Sequence, residues 1–254
     1  MMHINNDYFE NAVLYYKKSF SETQESILNF NPSSDEASHR KRILEISLSR
    51  YSLSTLQALY SSGCIDKRKL QQQLNKTTDL IDKFWKPNVA RMSTGDGARQ
   101  KYHPIYYLPY YIVMRWVLSF CVLLDAPISS FEMLQKIIDR DKIEDALYDF
   151  LLSYKYPERK ISQKMAIKKP VNRIKDILHM KQNSIFEKEL SVYLDKEWLK
   201  TYKNSHIYNS HKAMDVPNYS FTGYWAFEVA AIVKIKGLDD SSFRDHKYYP
   251  SQLL

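Results

Sequence analysis

At 254 residues, with a formal net charge of +8 and 44% hydrophobic residues, the chain can fill one large core or two modest ones, which excludes a disordered or linker class. Only five glycines and nine prolines are present, and no series of short alternating runs joined by two-residue turns occurs, so a sandwich or barrel is excluded and an all-α multi-helix bundle is expected. The two cysteines, Cys64 and Cys121, lie in apolar helical settings without Cys-x-x-Cys spacing, which reads as reduced thiols and favours the cytoplasm.

The N-terminus, Met1 to Asp7, lacks a basic region followed by an apolar core, so no secretory signal is read there. Apolar periodicity and helix-boundary residues predict helices near 5–29, 34–62, 66–90, 105–124, 130–139, 142–154, 170–181, 184–203 and 220–236. Three Ser-x-x-Glu capping boxes mark starts: Ser33 with Glu36, Ser129 with Glu132, and Ser184 with Glu187. Leu70, Leu74, Thr77, Ile81 and Phe84 recur at steps of three and four and predict one buried stripe, as do Phe186, Leu190, Tyr193 and Trp198 with one longer step.

Leu108 to Leu124 is apolar enough to suggest a membrane span, but Arg115 at its centre argues for a buried core helix, in which a guanidinium can pair with a carboxylate. No membrane association is expected. Asp125-Ala126-Pro127 follows and is the expected boundary between an N-terminal helical domain, 1–126, and a C-terminal one, 127–254.

Residues 155–181 then concentrate the positive charge, with nine cations against two acids. Such a block can bind phosphates, but it is more often a solvated surface, so nucleic acid is the alternative partner rather than the leading one. His206 and His211, followed by Asp215, have the chemistry of metal ligands without a readable set of supporting partners. Paired with Asp215 or Glu228, His211 would also be the only opening for a hydrolase. No phosphate loop, nucleophile elbow, His-Glu-x-x-His helix or zinc-finger spacing occurs, and neither catalytic residues nor a metal or cofactor is expected.

The last helix is apolar on every side from Tyr224 to Ile235 and carries one acid, Glu228. A buried carboxylate needs a cationic or hydrogen-bonding partner, and Arg115 is the expected one. Lys234, Lys236, Gly237 and Leu238 spell a helix end, so Asp239 and Asp240 should begin an exposed turn that leads through Asp245 to Tyr248, Tyr249 and Pro250. Tyr219, Tyr224, Tyr248 and Tyr249 form a candidate aromatic contact patch.

Gly223-Tyr224-Trp225-x-Phe227-Glu228, the Ala230-Ala231 pair, Asp239-Asp240-Ser241-Ser242 and the closing Tyr248-Tyr249-Pro250 resemble the C-terminal domain of the PoNi immunity proteins. Upstream, Asp145 to Leu152, Tyr193 to Trp198 and Tyr208 to Lys212 resemble the segments before that signature, and residues 40–85 are more loosely similar to the N-terminal domain. The resemblance implies a protein that is not an enzyme. It would bind and neutralise a polymorphic nuclease (DNase) effector toxin encoded by an adjacent gene, protecting the producing cell and its kin in interbacterial competition through a secretion system. The candidate toxin-binding residues are then Asp239, Asp240, Asp245, Tyr248 and Tyr249, with Glu228 and Arg115 as a buried structural pair. A homo-oligomer remains open.

Overall fold

A computed structural model describes residues 6–31, 33–167, 172–214 and 219–254. The fold is all-α with one small hairpin, and the chain forms two compact units. The first unites Met1–Val89 with Asn209–Gly223, and the second unites Ala90–Tyr208 with Tyr224–Leu254.

The first unit contains α1 (Asn6–Leu28), α2 (Asp35–Ser61) and α3 (Lys67–Phe84). Phe9, Ala12, Val13 and Tyr16 form the buried stripe of α1. The cap of α2 falls one residue later than the Ser33 box implies. Ser34 has the extended backbone of an N-cap, and its hydroxyl accepts the Ala37 amide at 3.1 Å. Asp66 caps α3 by accepting the Arg68 and Lys69 amides. The expected stripe Leu70, Leu74, Thr77 and Ile81 is buried, and the Thr77 hydroxyl meets that of Ser52 at 2.8 Å. The returning segment is tied down by its backbone: Tyr16 donates to the Ser220 carbonyl, Ser61 donates to that of Thr222, and the Phe221 amide donates to the Tyr8 hydroxyl.

α3 ends at Phe84 rather than continuing to 90, because Pro87 cannot extend the helix and Asn88 turns the chain with φ of 69°. The second unit opens with an antiparallel hairpin that periodicity did not signal, β1 (Arg91–Thr94) and β2 (Lys101–Tyr106). It continues with α4 (Leu108–Leu123), α5 (Ile128–Arg140), α6 (Ala146–Leu152), α7 (Asn172–Leu178), α8 (Asn183–Lys196), a 3-10 turn over Trp198–Tyr202 and α9 (Phe227–Lys236).

α4 and α9 make the centre of this unit. Every residue from Tyr110 to Leu123 is buried, and Phe120 meets Phe227 with ring centroids 4.3 Å apart. Among the described residues no helix is long and apolar enough to cross a membrane. Two further capping boxes do not form. α5 starts behind Pro127, which puts Ser129 inside the first turn, and α8 starts behind Gln182. Asp145 caps α6 through the Leu147 and Tyr148 amides. α9 begins only at Phe227, since the Ala226 amide is spent on the Tyr248 carbonyl at 2.7 Å.

Candidate functional site

Whereas His211 and Tyr219 belong to the first unit, two regions of the second unit hold the candidate buried pair and the candidate toxin-binding residues. One is a buried polar layer. Arg115 on α4 places Nη1 3.8 Å from Oε1 of Glu228 on α9, and the two side chains are 2% and 0% exposed. That separation is an ion pair without a direct hydrogen bond. The Trp198 indole N–H supplies one, donating to Glu228 Oε1 at 2.9 Å, while Arg115 donates to the Tyr202 hydroxyl. The guanidinium also stands over the Tyr202 and Tyr111 rings, 4.8 and 5.8 Å from their centroids. Burial works against its charge, but the oxygens of Tyr202 and Glu228 outweigh that cost and raise its pKa.

Asp145 lies in the same layer and is fully buried. Its Oδ1 accepts the two capping amides, and its Oδ2 accepts the Tyr111 hydroxyl and the Ala166 amide. Burial nevertheless pushes its carboxyl up to about 6. Neither the Trp198 and Tyr202 contribution nor the role of Asp145 was visible in the sequence. An Asp three residues before Tyr148 at the start of an apolar run is the one signal that could have found the latter. All these groups are enclosed by core side chains, so the layer braces α4, α6 and α9 from within.

The other region is the turn after α9. Gly237 takes the left-handed conformation, φ 60°, and ends the helix, and the Leu238 amide reaches back to the Val233 carbonyl. Glu187, read above as half of a capping box, instead accepts the Asp239 amide at 3.1 Å and anchors the turn to α8. Asp239 is exposed, and the Ser241 amide and hydroxyl lower its pKa.

The expectation that the whole turn is exposed needs correction at two positions. Asp240 is 3% exposed and accepts two hydrogen bonds from the Arg244 guanidinium, and Tyr249 is likewise 3% exposed, packed on Phe243 at 5.1 Å. Burial and the neighbouring Asp240 push the Tyr249 phenol upward. Asp245 is exposed and Tyr248 half-buried against Trp198, with centroids 4.9 Å apart. Tyr219 belongs to the first unit, where it meets Tyr8 and Tyr15, while Tyr224 and Tyr248 meet in the second. Of the four tyrosines, Tyr219 thus falls in the first unit and the other three in the second.

Between α8 and this turn runs a groove of about 510 Å³, lined among others by Asp195, Lys196, Ser241, Asp245 and His246. Burial holds His246 below its ordinary pKa, Asp195 pulling the other way, and its Nδ1 accepts the Tyr248 amide.

The basic block is partly neutralised by acids outside it. Arg159 bonds Asp139 and Asp149, Lys164 pairs with Glu144, and Arg173 bonds Glu189 and Glu197. Lys168 and Lys169 lie outside the described residues, as does Asp215. Among the described residues no group of three His, Cys, Asp or Glu side chains is placed to hold a metal ion.

Known proteins bear on this architecture in two ways. The crystal structure of protein PA2201 from Pseudomonas aeruginosa is similar with a TM-score of 0.63 and 17% identity, over 94% of this chain and 86% of that one. At this identity the likeness concerns the fold. No curated protein matches the chain. The family model for PoNe immunity protein (PoNi), N-terminal, matches residues 2–137, and that for PoNe immunity proteins (PoNi), C-terminal, matches residues 143–253. Together they span nearly the whole chain, which thus belongs to the PoNe immunity protein (PoNi) family.

Proposed function

We propose that this protein binds a cognate nuclease toxin, encoded by an adjacent gene, and neutralises its DNase activity in the cytoplasm, protecting the producing cell and its kin. The observation that carries the reading is that both PoNi models match in order, over 2–137 and 143–253, so the full family architecture is present. The protein acts by binding, without a cofactor or a reaction of its own.

Asp239 and Asp245, with the accessible part of Tyr248, are the contact residues of the C-terminal turn. Asp240 and Tyr249 act behind them, holding the turn in shape. A net charge of +8 is unsuited to wholesale imitation of DNA. The acidic contact is local, and inhibition proceeds by obstructing the nuclease beside or at its cleft.

Co-expression with the neighbouring nuclease tests the reading. Survival and intact DNA are expected with the immunity protein present, and killing at an unchanged rate would sink the proposal.

A further inference from the structure

The first unit is assembled from two distant stretches of chain, and its late stretch is held in a way unlike helix packing. Residues 219–223 have no regular secondary structure, yet three successive backbone groups among them are taken by side chains of α1 and α2. Tyr16 donates to the Ser220 carbonyl at 2.9 Å, the Phe221 amide donates to the Tyr8 hydroxyl at 3.2 Å, and Ser61 donates to the Thr222 carbonyl at 2.6 Å. The partners stand 204, 213 and 161 residues apart along the chain. Backbone outside a helix or sheet needs such partners when it is buried, and here two helices supply them.

Aromatic side chains complete the seat. Phe221 is 2% exposed, with its ring centroid 5.9 Å from that of Phe9, 6.5 Å from Tyr8 and 6.4 Å from His211. Two residues earlier, the Tyr219 ring lies 5.4 Å from Tyr8 and 6.1 Å from Tyr15. Main-chain hydrogen bonds combined with pockets for alternate side chains are how proteins hold peptide segments, the first giving affinity and the second specificity. The segment ends at Gly223, where φ is 93°.

α1 and α2 fall within residues 2–137, matched by the N-terminal PoNi model, whereas 219–223 fall within 143–253, matched by the C-terminal one. Helices of the N-terminal region are thus covered by a piece of the C-terminal region, and both belong to one compact unit. Joining groups so far apart in sequence costs loop-closure entropy, which the burial of Phe221 against Phe9 helps to offset. Phe9 is itself part of the buried stripe of α1, so the segment covers the stripe that docks the helix.

We infer that α1 and α2 form a peptide-holding seat whose ligand is this chain's own segment 219–223, an in-cis strap that keeps α1 docked. The N-terminal family region is then no self-standing module, since it borrows the strap from the C-terminal one. The seat holds whether or not a toxin is bound.

Hydrogen exchange of the full chain, read separately on α1 and on α4 with α9, tests the strap. Phe221→Ala should speed exchange of amides 9–16 about 100-fold or more, the size expected when a buried aromatic ring is truncated. The milder pair Tyr16→Phe with Ser61→Ala keeps every ring and removes two donors to the strap, and about tenfold is expected. Ser220→Ala should stay within twofold of the wild type, because that residue is held by its carbonyl. Should Phe221→Ala not fold, the pair variant decides alone. Exchange of α1 within twofold of the wild type in the folded pair variant overturns the strap. Equal acceleration in α4 and α9 also overturns it, since the bonds would then support the whole chain rather than seat α1. Loosening by Ser220→Ala as large as that by the pair variant overturns recognition through the backbone.

Discussion

Glu228 on α9 and Arg115 on α4 face each other inside the second unit at 3.8 Å, and the Trp198 indole, not the arginine, makes the hydrogen bond to the carboxylate. The pair is therefore held by Coulomb attraction at close range and by hydrogen bonds to third parties, Trp198 on one side and Tyr202 on the other. Losing either charge leaves the other enclosed among apolar side chains.

Arg115→Met or Glu228→Leu alone should then cost about 3–5 kcal/mol, whereas the double variant should recover most of that loss because two desolvated charges disappear together. Urea denaturation at pH 7 measures this. Additive losses in the double variant would show that the two charges do not depend on each other.

Asp145 makes a pH-dependent contribution of unusual sign. Its carboxyl stands at about 6 in the folded protein against 3.8 as the ordinary value, so the folded state holds the proton longer than the unfolded one. Its contribution is most favourable below pH 4, declines as pH rises from about 4 to about 6, and is level above. Asp145→Asn should flatten that part of the profile by up to about 3 kcal/mol relative to wild type. At pH 7 it should still be destabilised by about 1–3 kcal/mol, because its amide group would confront the Ala166 N–H or a capping amide. Thermal melts between pH 4 and pH 7 compare the two.

The C-terminal turn separates surface from support. Asp239→Lys with Asp245→Lys should weaken nuclease binding at a small cost in stability, confined to the two Ser241 hydrogen bonds that Asp239 accepts. Asp240→Ala should do the reverse in kind. It removes the acceptor of two Arg244 hydrogen bonds and should cost about 1–3 kcal/mol of stability. Calorimetry of folding and of binding on the same variants distinguishes the roles, and equal binding by the double lysine variant would remove the turn from the interface.

Two glycines should respond differently to alanine. At Gly237 an added Cβ meets nothing within 4 Å, so only the positive φ is penalised and about 1 kcal/mol is lost. At Gly95 the added atom strikes backbone. The hairpin tip must rearrange, visible as faster amide exchange from Ser93 to Tyr102 while the helical core exchanges as before.

Helix existence was readable because stripes such as Leu70, Leu74, Thr77 and Ile81 repeat with the helical period, and such a stripe has only one way to be buried at once. Helix starts are less legible. Ser33, Ser129 and Ser184 all satisfy the capping pattern, but Ser34, Pro127 and Gln182 take the positions, and Glu187 serves the Asp239 amide instead. A side-chain acceptor goes to whichever amide the packed helix leaves open, and the local pattern does not contain that information. The hairpin is not legible in the sequence because its strands are short and a bulge interrupts their alternation.

By itself the sequence determined the helical class, the central apolar helices and the family, since periodicity, composition and a signature spread over many positions survive any detail of packing. Only the tertiary structure decided which members of the signature are available to a partner. Asp239 and Asp240 are adjacent and chemically identical, yet one faces solvent and the other is enclosed with Arg244 beside Tyr249. The difference arises from the direction in which the chain leaves Gly237 and from the Glu187 anchor, both of which act through space rather than along the chain.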